Sequence, residues 1–320
     1  MRNPAKEVLM NNLICIAGPT ASGKTALAVA LAKELGGEVV SCDSMQVYKY
    51  MDIGTAKPTT AEMDGVVHHM LDVADPREDF SVSRYCEMAT PIVDDILARG
   101  KTAIIAGGTG LYMDALIKGN SFAPYPSTGV REQLEAQADE QGMEAMLALL
   151  NKIDPDSAQR LHLQDRKRII RALEVYYETG QTITAHNLKT QSVPPRYNPV
   201  WFALEDEDRT QLYARIDRRV DKMLEDGLIL EIQFLIDRGI PKKCTAMQAI
   251  GYKEFIDALE GRCSVSDAAD LVRQSSRHYA KRQLTWFRRN PNIYWLRRGY
   301  GEKTTEILNR ARHLLRECDR

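Results

Sequence analysis

The string AGPTASGKTALA, Ala17 to Ala28, constrains the fold more than any other stretch of this chain. Gly18, Gly23, Lys24 and Thr25 satisfy G-x-x-x-x-G-K-[ST], a loop whose backbone N–H groups and lysine hold a di- or triphosphate. That loop works only between a buried strand and a helix. Leu13–Ala17 (LICIA) supplies the apolar run before it, and Thr25–Leu35 the helical periodicity after it, stopped by Gly36-Gly37. Lys24 is expected on the bridging and terminal phosphate oxygens and Thr25 on Mg²⁺. The pattern does not say whose phosphate is held.

The flanking sequence extends the same architecture. Glu38–Cys42 reads as a strand ending on Asp43, Ser81–Arg99 as a helix capped by Gly100, and Thr102–Ala106 as a strand running into Gly107-Gly108-Thr109-Gly110. Alternating strands and helices predict a parallel sheet with its site at the carboxyl ends, where Asp43 and Thr109 would lie beside the loop. After Gly119 the pattern changes: Pro124 and Pro126 punctuate the chain, and Val130–Leu150, Asp156–His162 and Arg166–Thr179 read as helices with no strand between them. Val193-Pro194-Pro195 closes that block and Pro199–Leu204 returns as a strand. The expected fold is therefore α/β, a parallel sheet flanked by helices formed by residues 1–122 and 199–320, with an all-helical insertion at 123–198. The remainder reads mostly as helix, with Leu212, Ile216, Val220, Met223 and Leu224 at helical spacing.

A phosphate-loop ATPase or GTPase usually carries an Asp after an apolar strand to hold its metal, and TAIIAGG has none. Asn151-Lys152-Ile153-Asp154 spells the guanine-reading N-K-x-D, but it lies among helices, is followed by Pro155, and no D-x-x-G switch occupies the expected stretch between it and the loop, which argues against a GTPase. Asp43 is open to three readings: metal ligand, general base or helix cap. Arg215 and Arg219, one helical turn apart, either face a common anion or belong to an exposed face shared with Asp217 and Asp221.

Net charge is −1, yet its distribution is uneven. Leu271–Tyr300 holds eight Lys/Arg and no Asp or Glu, and Arg160–Arg171 holds five bases against Asp165 alone. Two such blocks suit a polyphosphate backbone. Tyr279, Trp286, Phe287, Tyr294 and Trp295 interleave with the second block, as base stacking would require, with Trp286 and Trp295 expected to be core. The six cysteines are scattered without a C-x-x-C pair, and His68-His69 lacks partners, so reduced thiols and no structural zinc are expected. No run approaches a membrane span and the first apolar stretch is too short for a signal peptide, so a soluble cytoplasmic protein, monomeric by default, is expected.

Taken together, GPTASGKT (18–25), DSMQVYKYMDIGTAKP (43–58), GGTGLY (107–112), RIIRALEVY (168–176), LYARIDRRVDKML (212–224), AMQAIGYKE (246–254) and YAKRQLTWFRR (279–289) resemble the bacterial tRNA dimethylallyltransferase family over nearly the whole chain. The resemblance implies a P-loop NTPase-like core and transfer of a dimethylallyl group from dimethylallyl diphosphate to N6 of the adenosine 3′ to the anticodon, with Mg²⁺ and release of pyrophosphate. It assigns the diphosphate to Gly18, Pro19, Thr20, Ala21, Ser22, Gly23, Lys24 and Thr25, and the proposed base to Asp43. It puts an arginine of LYARIDRRV on pyrophosphate, Arg215 first and Arg219 second. It assigns tRNA contacts to Asp43, Ser44, Met45, Gln46, Thr109, Arg131, Gln164, Asp165, Arg166, Lys167, Arg168, Gln248, Ala249, Ile250, Gly251, Tyr252 and Lys253. Two departures stand out: His162-Leu163-Gln164-Asp165 where the family usually has Asn-Pro-Asn-Asp, and Tyr50 where it usually has Gly. Two rival readings remain on the sequence: a phosphate-loop kinase of a nucleoside or small metabolite, and a non-catalytic RNA-binding module.

Overall fold

The runs LICIA, AIIA and VWFAL are apolar on both faces, the pattern of a parallel sheet covered by helices on either side. The structure, a computed structural model, describes residues 12–119, 128–191 and 193–318. The N-terminal stretch and Pro124–Pro126 lie outside the described residues. In chain order the elements are β1 (Leu13–Ala17), α1 (Lys24–Leu35), β2 (Glu38–Ser41), α2 (Thr60–Met63), β3 (His68–His69), α3 (Val82–Ala98), β4 (Ala103–Ala106) and α4 (Gly110–Lys118). Next come α5 (Val130–Ile153), α6 (Pro155–Arg160), α7 (Arg166–Thr179) and α8 (Ile183–Gln191). The chain then returns through β5 (Val200–Asp206), α9 (Arg209–Glu225), α10 (Leu228–Asp237), α11 (Tyr252–Leu259), α12 (Val265–Phe287), β6 (Ile293–Arg298) and α13 (Thr304–Cys318). It divides into two compact units, Met1–Gly119 with Arg196–Arg320, and Asn120–Pro195.

The first unit holds one sheet in the order β3-β2-β4-β1-β5-β6. Every pairing is parallel, with Ile14 opposite Ile104 on one side of β1 and Val200 on the other. On one face Leu27, Ala28 and Leu31 of α1 pack with Ile14, Ile16, Ile104 and Phe202 and with Ile307, Ala311 and Leu315 of α13. Elsewhere in this unit Tyr85 of α3 stacks on Tyr112 of α4, ring centroids 4.8 Å apart, and the Tyr85 hydroxyl donates to the Ser41 carbonyl at 3.0 Å.

Two strands escape a reading from periodicity because both are edges. β3 is two residues long, and β6 alternates buried Ile293 and Leu296 with more exposed Tyr294, Trp295 and Arg297 inside the basic block. Trp295 and Trp286, expected in the core, are each half-buried; the Trp286 indole donates to Asp114 at 3.0 Å.

The helical unit has its own core of Leu134, Ala138, Met146, Leu150, Ile169, Ile170 and Leu173. Asp154 caps α6 from a buried position, accepting from the Ser157 amide at 3.1 Å and the Thr184 hydroxyl at 2.8 Å. The Asp of the apparent N-K-x-D is therefore a helix cap.

Glycine is required where β2 and β4 end. A Cβ on Gly107 would stand 1.9 Å from the Cys42 carbonyl oxygen, while the Cys42 amide donates to Ala106 at 2.8 Å and the Thr109 amide to Cys42 at 3.2 Å. Gly107→Ala must push these strand ends apart and should cost about 1–3 kcal/mol, read by urea unfolding; an unchanged midpoint would contradict the packing described.

Candidate active site

The carboxyl ends of β1, β2 and β4 open into a cavity of about 430 Å³. Three groups of residues build it. Thr20, Lys24 and Thr25 come from the phosphate loop, and Asp43, Ser44, Met45 and Gln46 from the turn after β2. Arg219 of α9, Lys253 of α11 and Tyr279, Arg282 and Gln283 of α12 close it, with Ile216, Val220, Met223 and Val272 forming an apolar wall.

The loop is shaped by Gly18 and Gly23 at φ +144° and +89°, and by Ala21 at +60°. It is then fastened from outside. The Thr20 amide donates to Gln283 Oε1 at 2.9 Å, and Gln283 Nε2 donates to the Gly108 carbonyl at 2.9 Å, so one buried side chain ties the loop to the segment after β4. A Cβ on Gly108 would lie 2.1 Å from Gln283 Nε2, so any larger residue there displaces this tie. Arg215 Nε donates to the Ala21 carbonyl at 2.9 Å while its guanidinium pairs with buried Asp206 at 2.5 Å. Arg215 therefore braces the back of the loop and does not line the cavity. Arg219 does.

Lys24 Nζ donates to the Pro19 carbonyl at 2.7 Å. Burial pushes its ammonium down to about 8, against the pull of Asp43 and with help from Arg219. The Arg219 guanidinium is likewise shifted down by burial and held up by Asp43, and it donates to the Thr55 carbonyl at 3.4 Å. Asp43 Oδ1 accepts from the Met45 and Gln46 amides at 2.8 and 3.3 Å. Those bonds fix the carboxylate and fall on one oxygen, leaving Oδ2 for a ligand. Burial and Asp43 push the Tyr279 hydroxyl up to about 12. Thr109 Oγ1 accepts from the Ser44 amide at 3.0 Å, so Thr109 holds the turn that carries Asp43 and Ser44.

The other expected residues fall into distinct roles. Gln248, Ala249, Ile250 and Lys253 line the cavity. Gly251, at φ +99°, starts α11, and Tyr252 is wholly buried with its hydroxyl on Glu231 at 2.6 Å, so its role is structural where an RNA contact was expected. Gln46 is a strut, accepting from Ser41 and donating to the Thr55 and Ala56 carbonyls at 3.3 and 3.1 Å. In the helical unit Gln164 and Lys167 are exposed, whereas Arg131 pairs with Glu174, Arg166 with Glu135 and Asp139, and Arg168 with Asp165. The acid-free block at the carboxyl end also gains acids in space: Arg273 meets Asp221, Arg277 meets Asp217 and Arg288 meets Glu205.

Glu231 escaped sequence reading altogether. Its carboxylate accepts from the amides of Asp52, Ile53 and Gly54 at 2.8, 2.7 and 3.1 Å and from Tyr252, holding the loop that carries Thr55. Lys57, buried, fixes the same loop through the Tyr48 carbonyl, Asp52 and Asp72. No spacing signals the role of Glu231, because its partners are backbone amides and a tyrosine far away in sequence.

The profile of the family described as IPP transferase matches residues 46–290. The chain belongs to that family. The tRNA dimethylallyltransferase of Acetivibrio thermocellus is 43% identical over 307 residues, 96% of this chain and 98% of that one. The tRNA dimethylallyltransferase of Halalkalibacterium halodurans is 47% identical over 288 residues, 90% of this chain and 91% of that one. Among solved structures, the full-length tRNA isopentenylpyrophosphate transferase of Bacillus halodurans has a TM-score of 0.70 at 45% identity, covering 95% of this chain and 97% of that one. A eukaryotic dimethylallyltransferase crystallised acting on tRNA has a TM-score of 0.78 at 31% identity, covering 89% of this chain and 73% of that one. Against the family's usual glycine, Tyr50 holds φ +66°, a backbone conformation glycine adopts without strain. Its half-exposed ring meets Phe234 edge-on at 6.1 Å and lies 4.7 Å below the Arg238 guanidinium, contacts that offset the strain. Among the described residues no helix is long and apolar enough to cross a membrane, and no group of three or more His, Cys, Asp or Glu is placed to hold a metal.

The Lys24 shift sets a pH limit. A buried lysine with its pKa lowered to about 8 is charged below that value and loses its charge above it. Affinity for a diphosphate monoester, measured by calorimetry between pH 6.5 and 9.5, should fall by up to about tenfold per unit above pH 8; a flat profile would remove Lys24 from anion binding.

Proposed function

We propose that the chain transfers the dimethylallyl group of dimethylallyl diphosphate to N6 of the adenosine on the 3′ side of the anticodon in tRNA, releasing pyrophosphate. The observation that carries this reading is one cavity lined together by two cations, Lys24 and Arg219, by Thr25 and by the fixed carboxylate of Asp43. The C–O bond to the diphosphate breaks with its electron pair leaving on pyrophosphate, whose charge Lys24, Arg219 and the loop amides receive. The N6 lone pair forms the new C–N bond, and Asp43 Oδ2 accepts the proton that N6 sheds. Adenine nitrogen is a poor nucleophile, so a positioned base is worth about 10²–10⁴ in rate.

The apolar wall of Ile216, Val220, Met223 and Val272 suits a branched C₅ chain better than a phosphorylatable polar metabolite. The Thr25 hydroxyl and Asp43 carboxylate are hard oxygen donors of the kind Mg²⁺ takes beside a diphosphate. When bound, Mg²⁺ neutralises phosphate charge, and Thr25 is the residue that would hold it. Gln248, Lys253 and Arg282 border the same cavity and are the groups to meet the flipped base and its backbone, the extrusion costing a few kcal/mol that phosphate contacts offset.

The test is direct. Unmodified tRNA incubated with the protein, Mg²⁺ and dimethylallyl diphosphate should yield, on digestion, an adenosine heavier by one C₅H₈ unit, with ATP neither required nor consumed. An unmodified tRNA pool with ATP hydrolysed in its place would sink the reading in favour of a kinase.

A further inference from the structure

Arg298 closes β6 and sits in register beside Asp206 of β5. Its guanidinium lies against the turn of the phosphate loop: a Cβ on Gly23 would stand 2.9 Å from one terminal nitrogen and 3.4 Å from the other. Its Nε is buried without a hydrogen-bond partner. The charges around it do not balance. Asp206, whose Oδ1 is also buried and unpartnered, is committed through Oδ2 to Arg215 at 2.5 Å. Glu302 accepts from the Gly299 amide at 2.9 Å and from Arg310 at 3.0 Å. Burial and Arg215 both disfavour the charge on Arg298, and Asp206 and Glu302 favour it through charge alone. Two guanidiniums thus stand behind the loop against one buried carboxylate, and the surplus cation abuts the glycine that begins α1.

A half-buried cation is costly to keep unless a counter-charge arrives. The anion that the loop is built to receive is that counter-charge. We infer that Arg298 is a positioning residue for the diphosphate, a fixed positive charge behind Gly23 that deepens the loop's potential without touching the ligand. Its planar head fills the space that a glycine at position 23 leaves open, so its charge stands within a few ångströms of the loop backbone. The inference rests on the reading of Gly18–Thr25 as a diphosphate site.

The test pairs R298M, which keeps the bulk and removes the charge, with R298K, which keeps the charge. Dimethylallyl diphosphate and inorganic pyrophosphate are titrated into each full-length protein by calorimetry, and tRNA binding and the unfolding temperature are measured alongside. R298M should bind both anions about tenfold more weakly with tRNA affinity unchanged, and R298K should stay within about twofold of the parent. R298M binding both anions like the parent would overturn the inference, reducing Arg298 to packing. So would R298K failing as badly as R298M. A parent protein that binds neither anion would overturn the loop reading itself and this inference with it.

Discussion

The contact between Gly107 and the Cys42 carbonyl sets the geometry on which the rest depends. Because a Cβ at Gly107 would stand 1.9 Å from that oxygen, β2 and β4 end closer together than side chains would permit. The turn after β2 and the segment after β4 are thereby brought beside the phosphate loop. Asp43 enters the cavity as the first residue beyond Cys42, and Gln283 spans from Gly108 to Thr20, so strand ends, loop and α12 form one frame. Function here follows from backbone proximity first and from side-chain chemistry second.

Within that frame the charges are arranged as mutual supports. Lys24 and Arg219 both lose hydration and both lean on Asp43, while Arg215 is spent on Asp206 and the loop carbonyl behind it. A cavity holding two desolvated cations and one carboxylate favours the arrival of an anion, and the same carboxylate is fixed by two amides in a geometry that leaves one oxygen unengaged. In the proposed reaction, binding and proton acceptance would draw on one electrostatic set, where screening by water is reduced.

Much of the fold was legible because its signals are local. Leu13–Ala17 and Arg166–Thr179 emerge with the bounds their periodicity predicts, since a buried parallel strand and an amphipathic helix each write their period into the chain. β3 and β6 did not, because edge strands bury one face or almost nothing. At the site, the loop residues and Asp43 were legible from motif and strand end. The choice between Arg215 and Arg219 was not, because both lie on α9 four residues apart and only the packing of that helix decides which meets the cavity. Glu231 and Gln283 left no trace, since their partners are backbone amides and carbonyls that every sequence possesses. The basic carboxyl-terminal block looked unopposed only in one dimension; α9 and β5 supply Asp217, Asp221 and Glu205 to three of its arginines.

The central claim is that Asp43 accepts the N6 proton as the new bond forms in the cavity the phosphate loop helps to build. Single-turnover kinetics with Asp43→Asn, an isosteric change that removes the basic oxygen, tests it most directly. With enzyme and dimethylallyl diphosphate in excess over tRNA, the rate of adenosine modification should fall by at least about 100-fold, while tRNA and diphosphate still bind. A single-turnover rate within about twofold of the parent would contradict the account, because a base worth 10² or more in rate cannot be removed without a trace.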